Sequence, residues 1–184
     1  MSAQPNGEKE TYLTFTLGEE TFALQVSNVR EVLDLTEVTK VPRTPSFMRG
    51  VINLRGSVVP VVDLRIKFSM PAIRDTMDTC IIVVEVNLDG ETTEIGALAD
   101  SVQEVFELSP GDIQPPPSIG MHLQSNFIKG MGKRDEKFII ILDIDKVLST
   151  DELILVNDVS NMDTTQKEPG TEVEPEQSFD EAGA

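Results

Sequence analysis

The chain has 184 residues, a formal net charge of −17 and a hydrophobic fraction of 39%, which is typical of a globular protein with one domain or two small ones. Binding to nucleic acid without sequence preference requires lysine and arginine to replace counterions on phosphates, so this charge argues against it and against an anionic membrane surface. Cys80 is the only cysteine, which excludes an internal disulfide or a thiolate metal cluster and suits a reducing compartment.

Both ends of the chain are predicted to be disordered. Residues 1–10 are polar and lack the apolar run of a signal peptide, and no stretch approaches the roughly 18 apolar residues of a membrane span. Residues 157–184 carry eight acidic residues against Lys167 alone, so they cannot bury enough apolar surface to offset the entropy of ordering. We therefore expect a folded region over 11–156 in a cytoplasmic protein, with a solvating acidic tail after it.

The first two predicted elements form a β-hairpin. Leu13, Phe15 and Leu17 alternate with threonines, which is the period of a half-buried strand. The glycine and glutamates of residues 18–20 supply a turn, and a return strand is predicted over 22–26.

A short helix is predicted next, over residues 28–33. Asn28 is a plausible N-cap with Glu31 three residues later, and the apolar residues between them would form one face. A short strand is predicted near 38–41, before two prolines break the pattern.

A second hairpin carries the most distinctive pattern in the chain. Residues 51–54 and 58–64 are strong β runs around Arg55-Gly56-Ser57, where glycine permits the positive φ of a tight turn. Pro60 lacks an amide donor, which predicts an edge strand or a bulge at that point. Arg55 lies at the tip, where a solvated turn residue and a binding residue are about equally compatible with the sequence.

The second half is predicted to repeat these signals. Its predicted elements are strands over 80–86 and 92–99 around Asp89-Gly90, a strand or short helix over 102–108, and strands over 123–128 and 138–144 joined by a turn over 133–137. Ser149 and Glu152 indicate a capping box for a final short helix over about 149–156.

An internal repeat relates the two halves. Val29-Arg30-Glu31-Val32 matches Val102-Gln103-Glu104-Val105 at an offset of 73 (102 − 29). Phe47, Gly50 and Asp63 recur at an offset of 80 (127 − 47) as Phe127, Gly130 and Asp143.

We interpret the repeat as two copies of one five-stranded unit, with barrel one over about 11–68 and barrel two over about 78–148. A copy of about 70 residues would be marginal alone. The two copies are therefore expected to share a core and to leave a groove at their seam.

The inventory of catalytic groups is poor, which predicts a protein that is not an enzyme and needs no cofactor or metal. His122 is the only histidine, which leaves no multi-histidine metal site or catalytic triad. Cys80 begins an apolar strand, where a buried structural thiol is favoured over a nucleophile. Gly130-Met131-Gly132-Lys133 lacks the flanking residues of a phosphate-binding loop, so a plain loop between strands is favoured. For Asp143-Ile144-Asp145, helix capping is favoured over metal binding.

The hairpin region resembles the chemotaxis coupling protein family, CheW. The resemblance rests on Gly-Val-Ile-Asn-Leu-Arg-Gly-Ser-Val-Val-Pro-Val-Val-Asp-Leu-Arg over 50–65, and on residues 12–18, 29–32, 41–42 with 45–47, and 127–143, so that it covers about 10–156. The regulatory domain of the kinase CheA and the front half of CheV are similar, but they would require a kinase or a receiver domain as well. A stand-alone coupling protein is the best fit, although the family does not generally need an acidic tail.

The resemblance implies an all-β fold of two packed five-stranded SH3-like barrels with short helices. It also implies an adaptor that couples the cytoplasmic tips of chemoreceptors to CheA and supports signalling arrays, without nucleic acid or membrane insertion. By this resemblance the receptor would meet the seam between barrels near Val29, Glu31, Asn53 and Arg55. The regulatory domain of the kinase would use a separate face, with Val105 as a candidate.

Receptor tips are helical, so the expected binding mode is a helix in a groove. Two alternatives stay open from the sequence: a coupling protein of a chemosensory system unrelated to motility, and a small-ligand-binding module.

Overall fold

The computed structural model describes residues 7–72, 74–88, 90–116 and 125–165, the side chains of residues 88, 125 and 161–165 excepted. The strands in chain order are β1 (Glu10–Leu17), β2 (Glu20–Gln25), β3 (Val29–Asp34), β4 (Met48–Leu54), β5 (Ser57–Asp63), β6 (Cys80–Leu88), β7 (Glu91–Ala99), β8 (Ser101–Leu108), β9 (Ile113–Gln114), β10 (Ile128–Arg134) and β11 (Lys137–Leu142). The helices are α1 (Leu64–Lys67), α2 (Ile144–Val147) and α3 (Thr150–Thr165), and 3-10 turns cover Val26–Asn28, Pro110–Asp112 and Ser125–Phe127.

These strands form two sheets with the same plan. Sheet 1 has the order β8-β1-β2-β11-β10-β9, and sheet 2 has the order β3-β6-β7-β5-β4. Each sheet contains one parallel pair, β2 with β11 in sheet 1 and β5 with β7 in sheet 2. The repeat in the sequence relates β3 to β8 and the β4–β5 hairpin to the β10–β11 hairpin. The predicted fold class, all-β with two similar units packed together, is confirmed.

The predicted division into two consecutive barrels, over 11–68 and 78–148, is wrong. The first hairpin, β1–β2, belongs to sheet 1 with β8 to β11, while β6–β7 belongs to sheet 2 with β3 to β5. Each half of the chain therefore contributes one hairpin to the sheet that the other half builds. Alternation along a strand indicates which of its faces is buried but not which strand lies beside it. The exchange of hairpins between the sheets is therefore not visible in the local sequence.

The helix predicted over 28–33 is also wrong, because this segment forms β3 after a single 3-10 turn. Half-buried Val29, Glu31 and Leu33 alternate with exposed neighbours, which is the period of a strand. Pairing with β6 satisfies the backbone along one edge of β3. Val29, Val32 and Leu33 fit both the helical and the extended period over so short a segment, and tertiary pairing decides between them.

Strand β10, which contains Gly130 and Gly132, begins later than predicted. Residues 117–124 lie outside the described part of the chain, and β10 covers Ile128–Arg134 rather than 123–128. Gly130 and Gly132 therefore lie within a strand and not in a loop. A Cβ at Gly130 would lie 2.9 Å from the carbonyl oxygen of Gln114 in β9, so this glycine permits a close approach of two backbones.

The final helix is longer than predicted. The capping box is present, with the Glu152 amide donating to Ser149 Oγ at 3.2 Å, but α3 continues to Thr165 instead of ending near 156. Val156 and Val159 are buried at 0% and 7% exposure. Burial of these valines supports the ordering of residues 157–165, which their acidic composition did not indicate. The remainder of the predicted tail, 166–184, lies outside the described residues.

Two truncations should separate the packed part of α3 from the acidic segment. A chain ending at Thr165 is expected to melt within about 2 °C of the full chain, which corresponds to about 1 kcal/mol or less. A chain ending at Val156 loses Val159, and burying a valine is worth about 1.5–3 kcal/mol. Since 1 kcal/mol shifts Tm by about 2–4 °C in a domain of this size, calorimetry should record a decrease of at least about 3 °C. Equal Tm values for both truncations would contradict the packing of Val159.

The core consists of two barrel interiors and a larger shared cluster between the sheets. A stack of phenylalanines runs through the shared cluster, with ring centroids 5.9 Å apart for Phe15 and Phe22, 5.8 Å for Phe22 and Phe68, and 4.5 Å for Phe68 and Phe127. Phe15 and Phe22 belong to sheet 1, whereas Phe68 follows α1 at the end of sheet 2. The expected shared core is present.

Polar bonds also tie the sheets together at two places that the repeat relates. Arg65 in α1 reaches Asp100 with Nη1 at 3.0 Å from Oδ1, and the other oxygen of Asp100 accepts from the Gly18 amide of the β1–β2 turn at 2.6 Å. Asp145 in α2, which is Arg65 plus the offset of 80, accepts from the Asn87 amide of β6 at 2.9 Å. The short helix of each sheet is thereby linked to the exchanged hairpin of the other: α1 through Asp100 to β1–β2, and α2 directly to β6–β7.

Candidate functional site

The tip of the β4–β5 hairpin is a two-residue turn with little conformational freedom. Arg55 and Gly56 have φ values of 51° and 86°, as in the type I′ turn that matches the twist of a tight hairpin. Asn53 Oδ1 accepts from the Gly56 amide at 2.9 Å. This bond explains why an asparagine precedes the tip, because it fixes the turn that presents Arg55.

Arg55 forms a two-pronged ion pair with Glu31 of β3. Its Nη1 lies 2.9 Å from Glu31 Oε1, and its Nη2 donates to Oε2 at 3.1 Å. Strands β3 and β4 are the two edges of sheet 2, so the pair links β3 at one edge to the turn that follows β4 at the other. The Arg55 side chain is 77% exposed and that of Glu31 only 24%. The guanidinium is therefore held in place on one side and open to a partner on the other.

Val29 anchors the start of β3, the strand that carries Glu31. It lies two residues before Glu31, but a β-bulge between them places Val29 opposite Val84 of β6 and Glu31 opposite Val83. Val29 packs against the shared core. The structure thus brings Glu31, Asn53 and Arg55 together at one end of sheet 2, with Val29 anchoring the strand that carries Glu31.

Val32 is a further surface residue of this region that the sequence argument did not place in the site. It follows Glu31 in β3 and lies on the opposite face of the strand. It is 43% exposed, although it is aliphatic and β3 is an edge strand. The signal that could have identified it is the repeat, which matches Val32 with Val105.

Val105 lies in β8, the edge strand of sheet 1, opposite Leu13 of β1. It is 56% exposed. Arg55 and Val105 are therefore carried by different sheets, as predicted. The role of Val105 in kinase binding stays a prediction.

An open pocket lies where the chain passes from sheet 1 to sheet 2. Its volume is about 350 Å³, and it is lined by Glu10, Thr11, Gln25, Val26 and Ser27. The last two belong to the 3-10 turn that leads into Val29. The lining comes from β1, β2 and this turn, so the groove expected at the seam between the two sheets stays a prediction.

The described residues hold little that could perform chemistry. They contain no group of three or more histidine, cysteine or acidic side chains that could hold a metal ion. Cys80 is buried, and its burial raises the pKa of the thiol, so the nucleophilic thiolate is disfavoured. His122 lies outside the described residues. None of the described helices is long and apolar enough to cross a membrane.

Comparisons with known proteins agree on one family. The CheW-like domain family matches residues 11–152. The chemotaxis protein CheW of Klebsiella aerogenes is 34% identical over 151 residues, which is 82% of this chain and 89% of that protein, and the protein FrzA of Myxococcus xanthus is 32% identical over 82% of this chain and 91% of its own length. The crystal structure of the scaffolding protein TtCheW from Thermoanaerobacter tengcongensis superposes with a TM-score of 0.70 at 33% identity, covering 78% of this chain and 95% of that one. This chain belongs to the CheW family of chemotaxis coupling proteins.

Proposed function

We propose that this chain is a non-enzymatic adaptor that couples the cytoplasmic tips of chemoreceptors to the histidine kinase CheA and supports the assembly of signalling arrays. It would act in the cytoplasm and reach membrane-associated arrays through the receptor. Membership of the CheW family supports adaptor function. The observation that carries the finer proposal is the Glu31–Arg55 pair at the rigid tip of the β4–β5 hairpin.

The pair suits a helical partner for geometric and electrostatic reasons. A fixed turn presents Arg55 with little entropy left to lose on binding, and arginine is among the residues most often found at binding hot spots. The exposed side of its guanidinium can bond to a polar group of a helix, while Val32, which follows Glu31 in β3, and Val26 in the turn before β3 are exposed apolar side chains. A helix in a groove uses this combination of apolar anchors and few polar contacts.

The kinase is proposed to bind elsewhere, on sheet 1 near Val105. An exposed aliphatic side chain on an edge strand suits an apolar contact between barrels. Because Arg55 and Val105 lie on different sheets, the two partners could bind at the same time, as a coupling protein requires.

Arg55→Ala is expected to weaken binding of a receptor cytoplasmic fragment by tenfold or more. Truncating a hot-spot residue commonly costs about 2 kcal/mol, and about 1.4 kcal/mol is one decade in Kd. The substitution also leaves the mostly covered Glu31 carboxylate without its partner. Isothermal titration of each purified variant would measure the change.

Arg30→Ala is the matched control, because Arg30 is also an exposed arginine of sheet 2, paired there with Glu85. It should change receptor affinity by no more than about fivefold, because an ordinary surface pair is worth about 0.2–1 kcal/mol and about 1.4 kcal/mol is one decade in Kd. A polar replacement at Val105 should weaken binding of the kinase regulatory domain and leave receptor binding intact. If Arg55→Ala weakened both partners equally while its Tm stayed unchanged, the two-surface proposal would be wrong.

A further inference from the structure

Positive charge is concentrated on one edge of this acidic protein. Residues 38–62 contain four cationic side chains and no aspartate or glutamate, in a chain of net charge −17. Three of them, Lys40, Arg43 and Arg49, belong to β4 or to the segment beside it, and we call them the basic edge. Thr39 is bonded to Val51 of β4 in both directions, at 2.9 and 2.8 Å, which places Lys40 alongside the start of that strand.

Two cations of the basic edge have no ion pair among the described residues. Arg49 contacts Asp75 and lies 3.9 Å from Asp63, whereas Lys40 and Arg43 are exposed and form no salt bridge with any described side chain. Arg43 has a φ of 61° and sits in a turn closed by Thr44 Oγ1 donating to the Val41 carbonyl at 2.9 Å. Their charges are therefore uncompensated and held on an ordered turn.

The other cationic cluster of the described chain, on the β10–β11 hairpin, is better compensated. Lys129 lies 3.8 Å from Glu10, and Arg134 lies 3.6 Å from Glu104. Lys133 and Lys137 flank Asp135-Glu136 at the turn. An acidic ligand is therefore attracted more strongly to the basic edge.

Helix α3, which precedes an acidic segment, packs on the sheet that carries the basic edge. Lys67 Nζ donates to Glu152 at 2.7 Å, which places the start of α3 beside α1 at the end of β5. Val156 and Val159 are buried in the same cluster as Val62 of β5, and α3 packs against β5. Strand β5 pairs with β4, so the helix that precedes the acidic segment packs on the sheet that carries the basic edge.

We propose that residues 166–184 bind to the basic edge of their own chain at Lys40 and Arg43. This segment holds six acidic residues and one lysine, a net charge of −5 (1 − 6). Its 19 residues (166 to 184) can extend about 60 Å at about 3.3 Å each, whereas the radius of gyration of a 150-residue domain is only about 15 Å. Tethering gives a local concentration near the millimolar range, so weak individual pairs suffice for a populated contact. An acidic partner that approaches β4 must displace the segment.

The test is paramagnetic relaxation in the full chain. A nitroxide attached through Ser178→Cys reports on the segment, and Cys80 does not compete for the label because it is buried with a raised thiol pKa. At 0.1 M salt the amide signals of residues 39–50 are expected to lose intensity. They should recover at 1 M salt, because the Debye length decreases from about 10 Å to about 3 Å.

Paired charge reversals identify the docking surface. Lys40→Glu with Arg43→Glu should abolish the intensity loss, whereas Lys133→Glu with Lys137→Glu, on the other cationic hairpin, should leave it unchanged. All four side chains are exposed, so the fold should be retained, and the dispersion of the amide spectrum verifies this. Losses centred on the β10–β11 hairpin, spread evenly over the body, or indifferent to the first pair of reversals would overturn the proposal. Equal losses in a mixture of isotope-labelled unmodified chain and unlabelled nitroxide chain would also overturn it, because the contact would then join two molecules.

Discussion

A polypeptide ending at residue 70 is expected to remain unfolded, with an amide spectrum of low dispersion and no cooperative melting. It contains β1 to β5, yet these strands belong to two different sheets. In sheet 1 it keeps only the β1–β2 hairpin, and in sheet 2 it loses β6, the sole neighbour of β3, and β7, the parallel neighbour of β5. Two isolated hairpins are marginally stable at best in water, so the loss of structure should be complete rather than partial.

Fragment complementation supplies the control for this experiment. Residues 1–70 and 71–184 together contain every strand, and the cut falls in the irregular segment between α1 and β6. Mixing the two fragments should restore a dispersed spectrum, which would prove that the first fragment lacks partners rather than the capacity to fold. A well-dispersed spectrum of the first fragment alone would contradict the exchange of hairpins between sheets.

Local signals predicted the hairpins well. The alternation of Leu13, Phe15 and Leu17 and the Arg55-Gly56 turn each depend on a few neighbouring residues, and both hairpins are present where the sequence places them. Of the two alternatives predicted from Pro60, the edge strand is wrong, since β5 lies inside sheet 2, while a register shift in the β4–β5 pairing lies opposite Val61 and Val62, next to Pro60. Pro60 lies opposite Val51 of β4, and the pairing of β5 with β7 begins only at Val61. Pro60 itself therefore has no partner in β7, where its missing amide would otherwise be needed as a donor.

Features that depend on distant parts of the chain were not predictable. Phe22 pairs with Ile140 across the parallel β2–β11 contact, and the sequence of neither strand indicates that the other is its partner. Glu31 and Arg55 were both predicted as receptor contacts, but their mutual ion pair links opposite edges of sheet 2. The pair joins a carboxylate of one edge strand to the turn at the other, which explains why this arginine keeps a defined orientation while 77% exposed.

The largest effect of a single substitution is expected at Arg65. Arg65 is only 1% exposed. Its guanidinium lies close to three carboxylates, at 3.0 Å from Asp100, 3.5 Å from Asp63 and 3.9 Å from Asp75. Asp63 is itself 3% exposed and caps α1 by accepting from the Arg65 amide at 3.0 Å. Removing the cation would leave these charges clustered and poorly solvated at the junction of the sheets.

Arg65→Ala should therefore lower the free energy of unfolding by about 3–5 kcal/mol, the usual cost of removing one member of a buried ion pair. With a urea m-value of about 1–3 kcal/mol/M, the midpoint of unfolding should decrease by at least about 1 M. Arg49→Ala is the matched control, because Arg49 contacts Asp63 and Asp75 from the surface, with 34% of its side chain exposed, and should cost about 1 kcal/mol or less.

A double substitution distinguishes the lost charge from the lost volume. Arg65→Met keeps most of the side-chain volume but removes the positive charge that the carboxylates contact, so it should destabilise nearly as much as Arg65→Ala. Adding Asp100→Asn removes one of the stranded charges and should recover part of the loss, since residues of one network do not act additively. If Arg65→Ala cost no more than Arg49→Ala, the bond from Arg65 through Asp100 to Gly18 would not be what holds the two sheets together, and the shared phenylalanine core would have to be sufficient by itself.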